Sequence, residues 1–356
     1  MAPEKTKYVE RSVPTISLAN YESRIDEITS QLVSAAENVG FFSIVDHGIT
    51  AEEIDNIFLQ SERFFSLPEE VKAQVPFSSA TNAGWEKNAQ VRPSTGAADR
   101  KESYQMQFGK NMEGKWLDDD ALPGFKDSAL EFMGKVQAVS ERLMVCFARG
   151  LGFPDDYFVK AHDVKRPETQ TVARLLHYFE TPRVSNGEVW HRAGAHTDWD
   201  LLTLLFQKKG QSGLEICPGR EASTSFAHGD TWTKVDPSQE AIICNIGDLL
   251  MSWSDDRFKS TFHRVKAPSE PDDYYGERYS IAFFNQPCGD VIIQGPLKKY
   301  PLVTGEEFTR NAMRRNFEAL EKKRFEKEEA ERLVEREGLK GANVHSIGKV
   351  VAEIGA

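Results

Sequence analysis

Apolar positions recur at helical spacing in the first half of the chain and crowd into short runs in the second. "SVPTISL" (12–18) predicts a short strand. "SRIDEITSQLVSAAENVG" (23–40) predicts a helix that stops at Gly40, and "FFSIVDHGI" (41–49) predicts a return to strand. "AEEIDNIFLQSERFFSLPEEVK" (51–72) predicts a second amphipathic helix, broken near Pro68. A third helix is predicted over 122–152, with Phe132, Val136, Val139, Leu143 and Phe147 on one stripe.

From about residue 170 the texture becomes that of strands. "TVARLLHYFE", "LLTLLFQ", "LEICP", "AIICNIGDLLMSW", "STFHRVK", "RYSIAFFNQP" and "DVIIQG" are short β-like runs separated by Gly, Pro, Asp and Ser, the pattern of a sandwich or jelly roll. After Pro301 the charge-rich "RNAMRRNFEALEKKRFEKEEAERLVEREG" predicts a solvated helix. The loop-like stretches are 77–102 and 217–231. Three regions are expected: an N-terminal α/β region (1–120), a β core with its supporting helix (121–300), and a charged helical extension (301–356).

Composition narrows the function classes. The chain has 356 residues, 40% of them hydrophobic, which suffices for a substantial core in one elaborated domain or two ordinary ones. A net charge of -11 argues against nucleic acid, whose phosphates demand clustered Lys and Arg, and favours a small-molecule partner. The opening "MAPEKTKYVERSVPTI" has no signal-like apolar stretch and no segment is long and apolar enough to span a bilayer, so a cytoplasmic protein without membrane contact is expected, as monomer or homodimer. Cys146, Cys217, Cys244 and Cys288 are scattered without a C-x-x-C pair and read as reduced core thiols.

The chemistry concentrates at "GAHTDWDLLTLLFQ" (194–207). The chain holds two H-x-D pairs, His196 with Asp198 and His228 with Asp230. The second falls in a loop, where no regular backbone orients two side chains. The first opens a strand-like run, and alternate residues of an extended chain share a face. His263 in "STFHRVK" is the best third ligand, and two histidines with one carboxylate on one face suit non-haem Fe(II) or hydrolytic zinc. Arg278 and Ser280 alternate in "GERYSIAFF", so a guanidinium fork and a hydroxyl can grip one carboxylate of a co-substrate.

Together these motifs resemble the iron(II)- and 2-oxoglutarate-dependent oxygenases of the isopenicillin N synthase-like group, over about residues 12–300. The N-terminal block "VPTISL…AAENVGFFSIVDHGI" is similar to that family's opening region. The C-terminal block runs from "RLLHYFETP" through "GAHTDWDLLTLLFQ", "NIGDLL" and "STFHRV" to "RYSIAFFNQP". The resemblance implies an α+β fold: a double-stranded β-helix (jelly-roll, cupin-like) core flanked by helices. It implies Fe(II) on His196, Asp198 and His263, 2-oxoglutarate on Arg278 and Ser280, and O2 as oxidant. Tyr178 would bind the same co-substrate, with Phe179 replacing the family's usual proline. The family couples substrate oxidation to decarboxylation of 2-oxoglutarate to succinate. His228 and Asp230 fall in an apparent insertion. Asp248 and His47 are expected to serve structure, His177 to point away from Tyr178's face, and His191 to be a polar loop residue.

Substrate contacts are expected from Tyr104, Met106, Arg192, Trp199, Phe283 and Asn285, although core filling is the ordinary role of such aromatics. A cation at Arg192 could orient an acidic phenol or a carboxylate. "NAGW…KESYQMQFG" is similar to the microbial branch with thymine hydroxylase and fungal natural-product oxygenases. That implies a small, planar or aromatic substrate oxidised at a methyl or ring carbon, by hydroxylation or by rearrangement such as ring expansion. An iron oxidase of the isopenicillin N synthase type, without 2-oxoglutarate, is the alternative. A non-catalytic binding module on the same scaffold would lack at least one iron ligand.

Overall fold

The structure is a computed structural model that describes residues 6–89, 99–181, 191–218, 231–238 and 240–315. The N-terminal part supplies strands β1 (Lys7–Tyr8), β2 (Thr15–Ser17), β3 (Phe41–Val45), β4 (Gly84–Lys87) and β5 (Lys101–Gln107). Its helices are α1 (Tyr21–Asn38), α2 (Ala51–Phe65) and α3 (Glu69–Lys72), followed by α4 (Phe125–Leu151) and α5 (Tyr157–Ala161). The core strands are β6 (Val172–Tyr178), β7 (His191–His196), β8 (Leu202–Gln207), β9 (Leu214–Cys217), β10 (Thr231–Lys234), β11 (Ile242–Ile246), β12 (Phe262–Lys266) and β13 (Arg278–Asn285). Helix α6 (Asp248–Trp253) lies between β11 and β12.

The strands build an eight-stranded sheet, β2-β3-β11-β8-β13-β6-β5-β4, and a five-stranded sheet, β1-β10-β9-β12-β7. Core strands cross between them along the chain, except that β9 and β10 follow one another in the small sheet: β6, β8, β11 and β13 lie in the large sheet, and β7, β9, β10 and β12 in the small one. That alternation is a double-stranded β-helix, the expected core. Between the sheets Phe41 and Ile243 meet Leu214 and Ile216, and Leu176, Tyr178 and Ala282 meet Ala193 and Val265.

The other face of the large sheet is covered by α1, α2 and α4. Leu202, Leu204 and Phe206 of β8 and Tyr279, Ile281 and Phe283 of β13 join the main apolar core there. The stripe expected on α4 is buried throughout, with Phe132 edge-on to Phe206 and Phe147 against Phe42 and Phe258. Gly40 takes a positive φ of 75° just beyond α1, the left-handed turn that lets the chain reverse into β3. Helix α2 starts with a capping box between Thr50 and Glu53.

Three expectations need correction. "AIICNIGDLLMSW" is a strand only through Ile246, because Gly247 turns the chain and its second half forms α6. A Cβ at Gly247 would lie 2.0 Å from the backbone oxygen of Asp200, so only glycine permits that approach. Residues 101–107, expected to be loop at their start, form β5, paired with both β4 and β6. His191, expected in a loop, begins β7 and pairs with Lys266. The pair His228 and Asp230 lies outside the described residues, as does most of the expected charged C-terminal helix; residues 305–315 are helical.

Phe147→Ala is expected to destabilise the fold by ~3–5 kcal/mol, because it opens a cavity where three aromatic rings meet. Leu59→Ala, at an exposed site of α2, should cost less than ~0.5 kcal/mol. Urea unfolding checks both: a lower midpoint with unchanged slope for Phe147→Ala, and none for Leu59→Ala.

Candidate active site

His196 ends β7 and His263 sits in β12, directly opposite one another in the antiparallel pairing of these strands. Their rings face at 4.3 Å between centroids. Asp198 follows in the turn before β8. His196 and Asp198, expected on one extended strand, are converged instead by a turn at the end of β7. Asp198 Oδ1 lies 3.7 Å from His196 Nε2 and 3.6 Å from His263 Nε2, and one ligand atom of each residue falls within 4.8 Å of the others. His196 Nδ1 is 2.7 Å from the Gly194 carbonyl and His263 Nδ1 is 3.3 Å from that of Thr261. Each Nδ1–H donates to its carbonyl, leaving both Nε2 lone pairs aimed at the shared point. Two imidazoles and one carboxylate oxygen on a single side fit a divalent iron with open coordination positions.

The Asp198 carboxylate is oriented by its second oxygen. Oδ2 accepts from Thr203 Oγ1 at 2.7 Å and Asn245 Nδ2 at 2.8 Å, so Oδ1 is the oxygen left for a metal. Burial opposes its charge, but His263 and His196, with Thr203 and Asn245, hold its pKa down to about 2. Asp200 has the opposite environment: burial and the nearby Asp198 charge raise its pKa well above the usual carboxylate range. Its Oδ2 is 2.9 Å from Thr203 Oγ1, and a hydroxyl has one hydrogen to give. Protonated Asp200 therefore donates to Thr203, which donates to Asp198. Asp248 accepts from Ser260 and Thr197, and its backbone N–H donates to the Asp198 carbonyl, the structural part expected of it. His47 lies elsewhere, its Nδ1 accepting from the Ile49 N–H.

The barrel interior continues from this cluster toward Arg278. Arg278 pairs across strands with Tyr178 and its guanidinium lies 5.1 Å from that ring. Nη1 donates to Ser280 Oγ at 3.2 Å, Nη2 to Gln207 Oε1 at 3.0 Å, and Nε to the Gln211 carbonyl at 3.2 Å. Arg278 is fully buried, and burial lowers its pKa. No carboxylate faces it in these hydrogen bonds, and among the described residues Gln207 Nε2 is a buried donor without a partner. A cation and a spare amide donor held in a dry interior suit the distal carboxylate of 2-oxoglutarate.

Strand alternation separates the remaining expected residues. Arg278, Ser280, Ala282 and Phe284 face the interior, whereas Phe283 and Asn285 lie on the opposite face. Phe283 packs against Phe108, and Asn285 is buried where its backbone carbonyl receives the Leu201 N–H. Tyr104 and Met106 on β5 are likewise in the helix-side core: Tyr104 stacks on Phe64 and its hydroxyl donates to the Lys115 carbonyl. These four are not pocket residues. Ser103, Gln105 and Gln107 of β5, each one position away, pair instead with the inward positions of β6. His177, as expected, faces away from Tyr178's side; it stacks on Tyr279 and bonds Glu102. Trp199 is half-buried just after Asp198, and Arg192 is buried near the start of β7.

Two residues of the inward face lie outside the sequence expectations. Arg174 on β6 bonds Gln105 through Nε and Nη2, and its guanidinium lies 5.2 Å from the Phe284 ring. Phe284 pairs with Thr203, the residue that orients Asp198, so this cation and ring stand at the iron end. The alternation that joined Arg278 to Ser280 would have found Phe284 had it been carried two steps further.

His263→Ala is expected to abolish stoichiometric Fe(II) binding, and Asn245→Ala to weaken it by about 10- to 100-fold by freeing the Asp198 carboxylate to rotate. Anaerobic Fe(II) titration calorimetry checks both; unchanged affinity in His263→Ala would remove it from the ligand set.

Residues 13–121 match the family model described as non-haem dioxygenase in morphine synthesis N-terminal, and residues 171–287 match that of the 2OG-Fe(II) oxygenase superfamily. Proline hydroxylase buaE of Petromyces alliaceus is 32% identical over 299 residues, covering 80% of this chain and 89% of that protein. UPF0676 protein C1494.01 of Schizosaccharomyces pombe is 33% identical over 281 residues, 77% of this chain and 82% of that protein. A full-length Neurospora crassa protein, solved by crystallography in complex with alpha-KG and thymine, superposes with a TM-score of 0.71 at 27% identity, covering 86% of this chain and 97% of that one. The chain belongs to the 2OG-Fe(II) oxygenase superfamily and is an Fe(II)- and 2-oxoglutarate-dependent dioxygenase.

Proposed function

We propose that the enzyme oxidises a small planar substrate, aromatic or heterocyclic, at a methyl or ring carbon, with His196, Asp198 and His263 holding the iron and Arg278, Ser280 and Tyr178 the co-substrate. With iron and 2-oxoglutarate bound, O2 would be the oxidant: one of its oxygen atoms enters succinate as 2-oxoglutarate loses CO2, and the other passes to the substrate. The protein's own residues orient and exclude water. Thr203 and Asn245 fix the carboxylate ligand, while Arg278 and Gln207 fix the far end of the co-substrate.

The observation that carries the substrate reading is the pairing of Arg174 with Phe284 beside Thr203. A flat ring can stack on Phe284 while the guanidinium and the Gln105 amide meet its carbonyl or ring nitrogen. Trp199, half-buried beside Asp198, supplies a second aromatic edge. The Neurospora crassa protein, whose structure was solved with thymine, offers a precedent for such a ring in a related barrel.

Methylated pyrimidines and methylated aromatic acids, incubated with Fe(II), 2-oxoglutarate and O2, should include a substrate that accelerates succinate release and gains 16 mass units, measured by mass spectrometry. Phe284→Ala should raise the KM for that substrate at least tenfold, about 1.4 kcal/mol, while leaving 2-oxoglutarate affinity within twofold. Oxidation in the absence of 2-oxoglutarate would replace this reading with the iron oxidase. A Phe284→Ala variant with unaltered KM would move the substrate off this wall.

A further inference from the structure

Arg192 stands apart from the groups already assigned. It is 1% exposed, yet among the described residues its Nε and Nη1 have no hydrogen-bond partner. Nη2 is engaged, with the carbonyl of Gly276 and, at 3.3 Å, that of Tyr275, and the guanidinium rests 5.8 Å from the Tyr274 ring. Burial and the neighbouring Arg278 press its pKa down to about 10. A buried guanidinium beside another, with two donors unspent, is an arrangement that a bound anion relieves, meeting both the charge and the donors.

Its position says which anion. Strand β6 ends at Tyr178 and β13 begins at Arg278, opposite one another, and the carbonyls that hold Arg192 closely precede Arg278. Arg192 is therefore at the Arg278 end of the barrel. His196 lies four positions further along β7, on the order of 10 Å away in an extended strand. The Phe284 and Arg174 wall is at the iron end, beside Thr203. Another acid and base near this end are already matched: Lys101 pairs with Asp99 at 3.2 Å and lies 5.8 Å from the Tyr178 ring. A third unspent donor of this end, Gln207 Nε2, belongs to the side chain that Arg278 itself grips.

From this geometry we infer that Arg192 is a second cation of the co-substrate subsite, donating through Nε and Nη1 to the distal carboxylate of 2-oxoglutarate alongside Arg278, and not a substrate-orienting residue. The inference rests on the proposed assignment of Arg278 to that carboxylate. Gripped by two guanidinium groups, the carboxylate is held on two sides, and the like-charge repulsion that burdens the empty barrel is cancelled when the co-substrate enters.

The test is calorimetric titration of 2-oxoglutarate into the anaerobic Fe(II)-loaded protein, with Arg192→Met, Arg192→Lys, Arg192→Gln and Arg278→Met compared with wild type. The expected Kd rises by about tenfold or more in Arg192→Met, and less in Arg192→Lys than in Arg192→Gln. Without ligand, the melting temperature of Arg192→Met should not fall, since a buried like charge has been removed, whereas its rise on adding 2-oxoglutarate should shrink. Should Arg192→Met fold poorly, the Lys and Gln variants carry the same reading, and equal Kd values in both and in wild type overturn the inference. Unchanged 2-oxoglutarate affinity in the Arg192 variants, with Arg278→Met weakened, overturns it while sparing the Arg278 assignment. Unchanged affinity in Arg278→Met as well would instead overturn the assignment on which it rests.

Discussion

Asp198 is a carboxylate kept charged in the interior of the barrel, and the surrounding architecture is built to make that tolerable. An ionised group out of water is costly unless its charge is met by donors and a counter-charge. Here Thr203 from β8 and Asn245 from β11 take one oxygen, and two histidines on paired strands face the other. Hydrogen bonds to a charged group contribute ~1.5–3 kcal/mol each, so the two donors offset a large part of the desolvation. Gly247 allows the backbone to close over Asp200, whose protonated carboxyl completes the chain of donors. With a divalent cation bound, the same carboxylate would gain a full counter-charge at the oxygen that the two histidines face.

The large sheet works because its two faces do different jobs. One face is apolar and meets α1, α2 and α4, which is where the fold gains its stability. The other carries Arg174, Tyr178, Thr203, Gln207, Asn245, Arg278 and Ser280, and would be a poor core. The helices let the sheet afford a polar interior. A one-residue slip in any of these strands would exchange the two sets, which is why register and function are inseparable in this barrel.

Behind the Arg278 end of the barrel a buried polar network ties the sheet edge to the helices. Glu102 accepts from Lys72 Nζ and Trp85 Nε1, each at 2.8 Å, and lies 2.9 Å from His177 Nδ1. Burial opposes its charge, but these donors prevail and keep its pKa below the usual carboxylate range. Glu102 stands between Lys101 and Ser103, and His177 beside Tyr178, so the network fixes the backbone from which pocket side chains project. Removing either Lys72 or Glu102 would leave the other charge buried without its partner, a loss of ~3–5 kcal/mol.

Short-range pattern was enough to read much of this protein. Helical spacing marked α1, α2 and α4, and β-like runs marked the double-stranded β-helix. His196, Asp198 and His263, with Arg278 and Ser280, carried the resemblance to the family, because two histidines and a carboxylate can hold a metal and a guanidinium with a hydroxyl can grip a carboxylate. What the sequence left open depends on which strand faces which. Tyr104, Met106, Phe283 and Asn285 are one position out of phase with the interior, and only pairing partners fix that phase. The turn that brings Asp198 under His196 is held by contacts with β11 and α6, far along the chain. Arg174 beside Phe284 and Arg192 near Arg278 are neighbours only once β6, β7 and β13 close around one cavity. Local chemistry pointed to the family, and the folding of two sheets onto each other decided which side chains face the barrel interior.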